Sequence, residues 1–294
     1  MPPTERQLLP DTFSRKLESA FSSYGQLCVG IDPHAELLEE HGFAQSPEGL
    51  YGFSMEMLEG LAETVGIIKP QVSFFERFGS QGFAVLERVL FEANKSGFLV
   101  IADAKRGDIG TTMAAYSSAW LEKDAPFICD ALTVSPYLGV GSLLPAVSAA
   151  VERGKGLFVL SATSNPEALS LQSALIDGVN VAGAVANEVR VINQQSAQSA
   201  VRFGSVGLVL GATVDLSSLG VSNINRHLEL HKTPVLAPGF GAQGAKLSEA
   251  KAIFGEDSDS VIYSISRSAL RSSLTNLKQT IEKDKEELLV ALSK

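Results

Sequence analysis

Eight short runs rich in Val, Ile and Leu, separated by stretches of helical periodicity, constrain this chain more than any other feature. They are QLCVGID (26–32), VGIIKP (65–70), FLVIADAK (98–105), FICDALTVS (127–135), GLFVLSAT (156–163), VGLVLGAT (206–213), TPVLAPG (233–239) and SVIYSISR (260–267). Each is almost continuously apolar rather than alternating, the pattern of parallel strands covered on both faces. Between them lie amphipathic candidates such as GLYGFSMEMLEGLAETV, GFAVLERVLFEANKSG and TTMAAYSSAWLEKD, the last two stopping near Gly97 and Pro126. Eight strand–helix units over about 240 residues predict an α/β fold of the (β/α)8 TIM-barrel type, which needs roughly 250 residues. A doubly wound open sheet is the competing arrangement, and no GxGxxG follows the first run to favour it. Extra material falls at the N-terminus, where a helix is expected near residues 11–24, in residues 33–48, and across residues 166–202. This last connector, between strands 5 and 6, is read as a long helical insertion with room for two helices. No Pro- or Ser-rich linker divides the chain, so a single barrel domain over residues 1–294 is expected.

A chain of 294 residues with 45% apolar content buries roughly 75% of its unfolded surface, so its core needs no staples. The net charge of −9 argues against a nucleic acid or an anionic membrane as partner, while leaving a local anion site open. Cys28 and Cys129 both lie in apolar runs and read as small buried hydrophobes, with no disulfide framework or CxxC spacing. The opening MPPTERQLLPD has no basic segment leading into an apolar one, and no stretch reaches 18 apolar residues. A cytoplasmic protein is the expectation. His34, His41, His227 and His231 form no HExxH, and His227 with His231, four apart, are expected on a solvated helix face.

The polar residues interrupting these runs gather at their C-terminal ends. Asp32 closes the first, Lys69 the second, and Asp103 with Lys105 the third; Ser135, Ser164, Thr213, Gly239 and Arg267 follow the others. Barrel active sites form at that end, with phosphate sites in the loops after strands 7 and 8. Here those loops read APGFGAQG and SISRSAL. The first offers Gly239, Gly241 and Gly244, whose backbone N–H groups can approach an anion, and Gln243 as a side-chain donor. The second offers the forked cation of Arg267 at an expected helix start.

Residues two apart on a strand share a face, so Asp103 and Lys105 are expected to project together. Asp108 has left the strand for the loop before a helix opened by Thr111 and Thr112. Ions taken out of water cost several kcal/mol unless paired, and Asp32 and Lys69 reach the same mouth, giving an alternating acid–base array. Each element also has a plain structural reading: DxKxxD as a solvated turn, Asp108 as a helix cap, Asp32 as a turn residue before Pro33, Lys69 as an edge-of-strand cation. Three successive charged strand ends opposite a phosphate cradle favour the site.

The chain resembles the orotidine 5′-phosphate decarboxylase family in its longer bacterial branch. The resemblance rests on GIDP (30–33), the lysine of IIKPQ, the DxKxxDI signature from Asp103 to Ile109, TSNP (163–166) and PGFGAQG (238–244). It implies a (β/α)8 barrel, generally dimeric, that converts orotidine 5′-monophosphate to UMP and CO2 without cofactor or metal. Carried across, it puts Lys69, Asp103, Lys105 and Asp108 in the catalytic array, with Lys105 protonating C6 and Asp108 reaching the partner subunit's site. Asp32 would hold a ribose hydroxyl, Thr112 would lie near the ribose across the interface, and Ser164 would bond the pyrimidine edge. Gln243 and Arg267 would bind phosphate, with Pro238 and Ser266 beside them. The family commonly has Gly immediately before the phosphate arginine; Ser266 brings a Cβ and a hydroxyl to that position. Three alternatives stay open: a metal-dependent sugar-phosphate decarboxylase or aldolase of the same superfamily, a Schiff-base aldolase using Lys69 or Lys105, and a non-catalytic nucleotide-binding barrel.

Overall fold

The structure, a computed structural model, describes residues 12–196, 200–270 and 273–294. Its eight main strands each overlap one of the apolar runs: β1 Leu27–Ile31, β2 Ile67–Pro70, β3 Leu99–Arg106, β4 Ala131–Val134, β5 Gly156–Ala162, β6 Val206–Leu210, β7 Val235–Ala237 and β8 Val261–Ile265. All pair in parallel and close into a barrel in sequential order, β8 bonding back to β1. The unbroken apolar runs have a direct cause. Leu27, Val29 and Ile31 of β1 pack outward against the helices, while Cys28 joins a second cluster inside the barrel with Ile67, Ile101, Phe158, Leu236 and Ile262. Neither face of such a strand meets water.

The helix expected at the N-terminus is α1, Phe13–Tyr24; residue 11, where the expectation began, lies outside the described residues. Phe13 and Leu17 belong to the inner cluster, and the Phe13 ring meets Phe158 edge-on at 5.9 Å between centroids. Gly156 leaves room for it, since a Cβ there would sit 2.8 Å from that ring. The helix stoppers the N-terminal end of the barrel, so chemistry is left to the C-terminal mouth.

The crossover helices are α2 Pro47–Leu61, capped by Ser46, α3 Gly79–Lys95, α4 Gly110–Trp120, α5 Leu144–Arg153, α6 Val181–Gln195 and, after β8, α7 Leu277–Leu292; a short helix Ala250–Phe254 links β7 to β8. The β6–β7 crossover is built of turns. There Asp215 accepts the Ser217 and Ser218 N–H groups at 3.0 and 3.1 Å, and Asp257 accepts those of Ile224 and Asn225 at 2.9 Å each. Carboxylates bonding the backbone in this way compete with a helix for the same groups. His227 and His231 therefore share no helix face: both sit in loop with positive φ, 64° and 54°. The insertion at 166–202 does carry two helices, of unequal length and with a hairpin between them. It holds a four-residue turn of helix, Leu169–Gln172, then an antiparallel hairpin, Leu175–Ile176 with Val179–Asn180, before α6. Asp177 and Gly178 at the hairpin tip both have positive φ, the conformation that an Asp-Gly pair accepts most readily.

Candidate active site

Period-two alternation carries one column of each strand into the barrel, and those columns turn from apolar to polar on rising to the mouth. Ile67 is followed by Lys69 and Gln71, Ile101 by Asp103, Ala131 by Thr133, and Ile262 by Ser264 and Ser266. The upper members line a mouth cavity of about 470 Å³, of the size small-molecule sites take. Its floor and one wall are apolar, from Leu160, Val209, Leu236 and Ile265.

Asp103 is the hub of the charged wall. Its Oδ1 accepts from Lys105 Nζ at 2.6 Å and Thr133 Oγ1 at 2.8 Å; its Oδ2 accepts from Lys69 Nζ at 3.0 Å and Gln71 Nε2 at 3.1 Å. Asp103 and Lys69 are 7% and 6% exposed, so neither reaches bulk water. Burial alone would neutralise the Asp103 carboxyl, but the ammonium groups of Lys69 and Lys105 outweigh it and hold that carboxyl well below the usual range. Burial likewise opposes charge on Lys69, and the Asp103 and Asp32 carboxylates overcome it, holding the ammonium above its ordinary value. Asp103 and Lys69 are thus both ionised at neutral pH.

The expectation that Asp103 and Lys105 lie together holds, by a different geometry. The β3–β4 register slips between Ala102 and Arg106, and Lys105 takes a φ of +49°. A bulge re-aims a side chain where a regular strand would not. Arg106 beyond it pairs with Glu76 and lies over the Tyr116 ring, fixing the bulge to the elements behind it.

Facing this wall are the loops after β5, β7 and β8. Gly239, Gly241 and Gly244 have φ of 115°, 75° and 112°, and a Cβ at Gly241 would lie 2.2 Å from Ser268 Oγ. Ser164 Oγ donates to Gln243 Oε1 at 2.9 Å, joining two loops across the mouth. From the insertion, Gln172 accepts the Thr163 N–H and donates to Thr163 Oγ1, each at 2.9 Å, so the insertion is tied to the rim. Pro238 and Arg267 line the cavity, and Ser266 Oγ donates to Asp32.

Of the residues expected at the site, Asp32, Lys69, Asp103, Lys105, Ser164, Pro238, Gln243, Ser266 and Arg267 share this cavity. Asp108 and Thr112 do not line it: Asp108 accepts the Ile109 N–H at 2.8 Å and Thr112 is exposed in the first turn of α4. Ser135 and Thr213 are also outside, and Tyr137, 79% exposed, is neither core nor cavity wall. Sequence reading missed His34, Gln71, Phe74 and Thr133. Gln71 and Thr133 were legible in principle, as the next inward positions after Lys69 and Ala131. His34 sits against Phe74, ring centroids 4.1 Å apart, where burial lowers its pKa. Among the described residues, no group of three or more His, Cys, Asp or Glu side chains is arranged to hold a metal ion, and no helix is long and apolar enough to cross a membrane.

Residues 25–291 match the model of the orotidine 5′-phosphate decarboxylase / HUMPS family. The chain belongs to that family. Among curated members, orotidine 5′-phosphate decarboxylase of Streptomyces coelicolor is 48% identical over 265 residues, covering 89% of this chain and 90% of its own. That of Corynebacterium glutamicum (strain ATCC 13032) is 42% identical over 280 residues, covering 93% and 96%. Among solved family structures, one from Streptomyces avermitilis superposes with a TM-score of 0.88 at 45% identity, covering 97% of each chain. Leishmania donovani OMP decarboxylase gives 0.76 at 27% identity, covering 96% and 99%. The family barrel and the barrel built up above are the same fold.

Proposed function

We propose that this chain decarboxylates orotidine 5′-monophosphate to UMP and CO2, with Lys69, Asp103 and Lys105 as its own catalytic array. The observation that carries this reading is the unbroken Lys69–Asp103–Lys105 chain of charge facing the glycine-rich loop and Arg267 across one cavity. Breaking the bond from C6 to the carboxylate leaves an electron pair in the ring plane, where the π-system cannot take it. Preorganised positive charge is then the available stabilisation, and it is commonly the largest catalytic contribution. Lys105 Nζ supplies it and passes a proton to C6, so that substrate plus one proton gives UMP plus CO2. Asp103 beside the substrate carboxylate would repel it by about 4 kcal/mol at 4 Å and an effective dielectric of 20. Two ammonium groups on Asp103 leave the triad with net charge +1, which offsets that repulsion. Asp32 is assigned to a ribose hydroxyl, Ser164 to the pyrimidine edge, and Gln243 and Arg267, beside Pro238 and Ser266, to the phosphate.

The named relatives favour decarboxylation over the sugar-phosphate lyase alternative, and so does the donor set. Both Asp103 oxygens are engaged by ammonium groups that repel a metal ion. Purified protein with orotidine 5′-monophosphate and EDTA should show the absorbance change to UMP, and Lys105→Ala, verified as folded, should abolish it. No turnover by the folded parent protein would falsify the assignment.

The site is completed, in this reading, by a second copy of the chain in a homodimer, with Asp108 and Thr112 reaching the partner's cavity. Their position outside their own cavity supports this, as does exposed apolar surface at Ile109, Tyr137, Leu138 and Leu144. Mixing inactive Lys105→Ala and Asp108→Ala subunits should regenerate about a quarter of parental activity, because half the random dimers carry one intact site. Mixtures that stay inactive while exchanging subunits count against the shared site. The whole chain is taken as one barrel domain, working in the cytoplasm, a setting supported by its two buried free thiols.

A further inference from the structure

We infer that Thr133 is a positioning residue for the reaction, setting both the Asp103 carboxylate and the Lys105 backbone through one hydroxyl oxygen. The inference rests on the reading of Lys105 and Asp103 given under Proposed function. Thr133 ends the inward column of β4 and is 1% exposed. Valine would fill the same volume with equal preference for a strand, so packing does not account for the hydroxyl. Its two partners do.

Thr133 Oγ1 lies 2.8 Å from Asp103 Oδ1 and 2.9 Å from the Lys105 backbone nitrogen. The directions of both bonds are forced. Asp103 is ionised and carries no proton, so the single hydroxyl proton must point at Oδ1. The lone pair then faces the Lys105 N–H, which can only donate. That N–H belongs to the residue with φ +49°, inside the register slip between Ala102 and Arg106. A bulge leaves its extra residue without a ladder partner, and a partly buried N–H at the barrel wall needs an acceptor. The hydroxyl is that acceptor. Lys105's side chain is 46% exposed, so packing does not fix it; its backbone angle and its bond to Asp103 do. Thr133 governs the first directly and the second through Oδ1.

Thr133→Val, Thr133→Ala and Thr133→Ser separate the hydroxyl from the methyl group. Losing a hydrogen bond to a charged group in this position lowers kcat by about 10- to 100-fold, with KM and UMP affinity held within about threefold. Ser keeps the oxygen and restores kcat to within about threefold of the parent. Should Val not fold, Ala against Ser gives the same comparison. A readout independent of turnover is hydrogen exchange at the Lys105 amide: protection is lost in Val and Ala and kept in Ser. Equal kcat in Ala and Ser, a fall in affinity matching the fall in kcat, or unchanged Lys105 protection in Ala would each overturn the inference. Because exchange needs no substrate, it stands or falls separately from the proposed reaction.

Discussion

Replacing Asp103 by Asn tests the electrostatic logic of the barrel mouth. The change keeps the shape and removes the charge that two lysines share. Lys105, with its side chain 46% exposed, can turn to water, whereas Lys69, at 8%, cannot. The cost therefore comes from stranding Lys69, and leaving one member of a buried ion pair uncompensated costs about 3–5 kcal/mol. Asp32 still acts on Lys69, which favours the lower end of that range. For a chain of this size the melting point should fall on the order of 10 °C. The sign of the pH dependence follows from which opposing influence on Lys69 survives. In the parent, its raised pKa makes the contribution to stability fully present below about pH 10.4, the unfolded value, and lost only above it. In the variant, burial prevails and the folded pKa drops below that value. Over the interval between the two, the unfolded chain binds more protons than the folded one, so the variant gains stability as pH rises. Urea unfolding of Asp103→Asn, Lys69→Met and parent at pH 7 and pH 9 reads this directly. The Asn variant should lose more stability than Lys69→Met, which leaves Asp103 with Lys105, Gln71 and Thr133, and its deficit should narrow at pH 9. A deficit independent of pH, or a costlier Lys69→Met, would refute the reasoning.

Two further outcomes are expected. Gly241→Ala places a Cβ in a left-handed backbone and 2.2 Å from Ser268 Oγ, so UMP binding measured by calorimetry should weaken at least about tenfold, with the barrel still folded; unchanged affinity argues against that loop as the phosphate cradle. Burial pushes the Cys28 and Cys129 thiols up to about 12, so neither should react with a thiol reagent at pH 8 until the protein is denatured. Fast labelling of the native protein contradicts their placement in the core.

The (β/α)8 class and all eight strands were legible in the sequence because every barrel strand is buried twice, once against helices and once against the interior. Burial on both faces writes itself into composition: a run such as LCVGI has no polar position to lose. The charged strand ends were legible for the converse reason, since Lys69, Asp103 and Lys105 interrupt runs that otherwise exclude charge. Local chemistry carried a signal for the insertion's hairpin too, in the Asp177–Gly178 pair. What tertiary structure alone decided is the set of contacts that exist only once the barrel closes. The alternation marks Thr133 and Gln71 as inward positions, but that both bond one carboxylate is fixed only when β2, β3 and β4 align. The left-handed Lys105 depends on a register slip between two strands, a relation between segments with no counterpart in either. The turns of the β6–β7 crossover depend on Asp257, more than thirty residues ahead of Ile224. Solvent exclusion acts residue by residue and leaves a pattern in the chain; directional bonds between distant side chains leave none until folding supplies the distance.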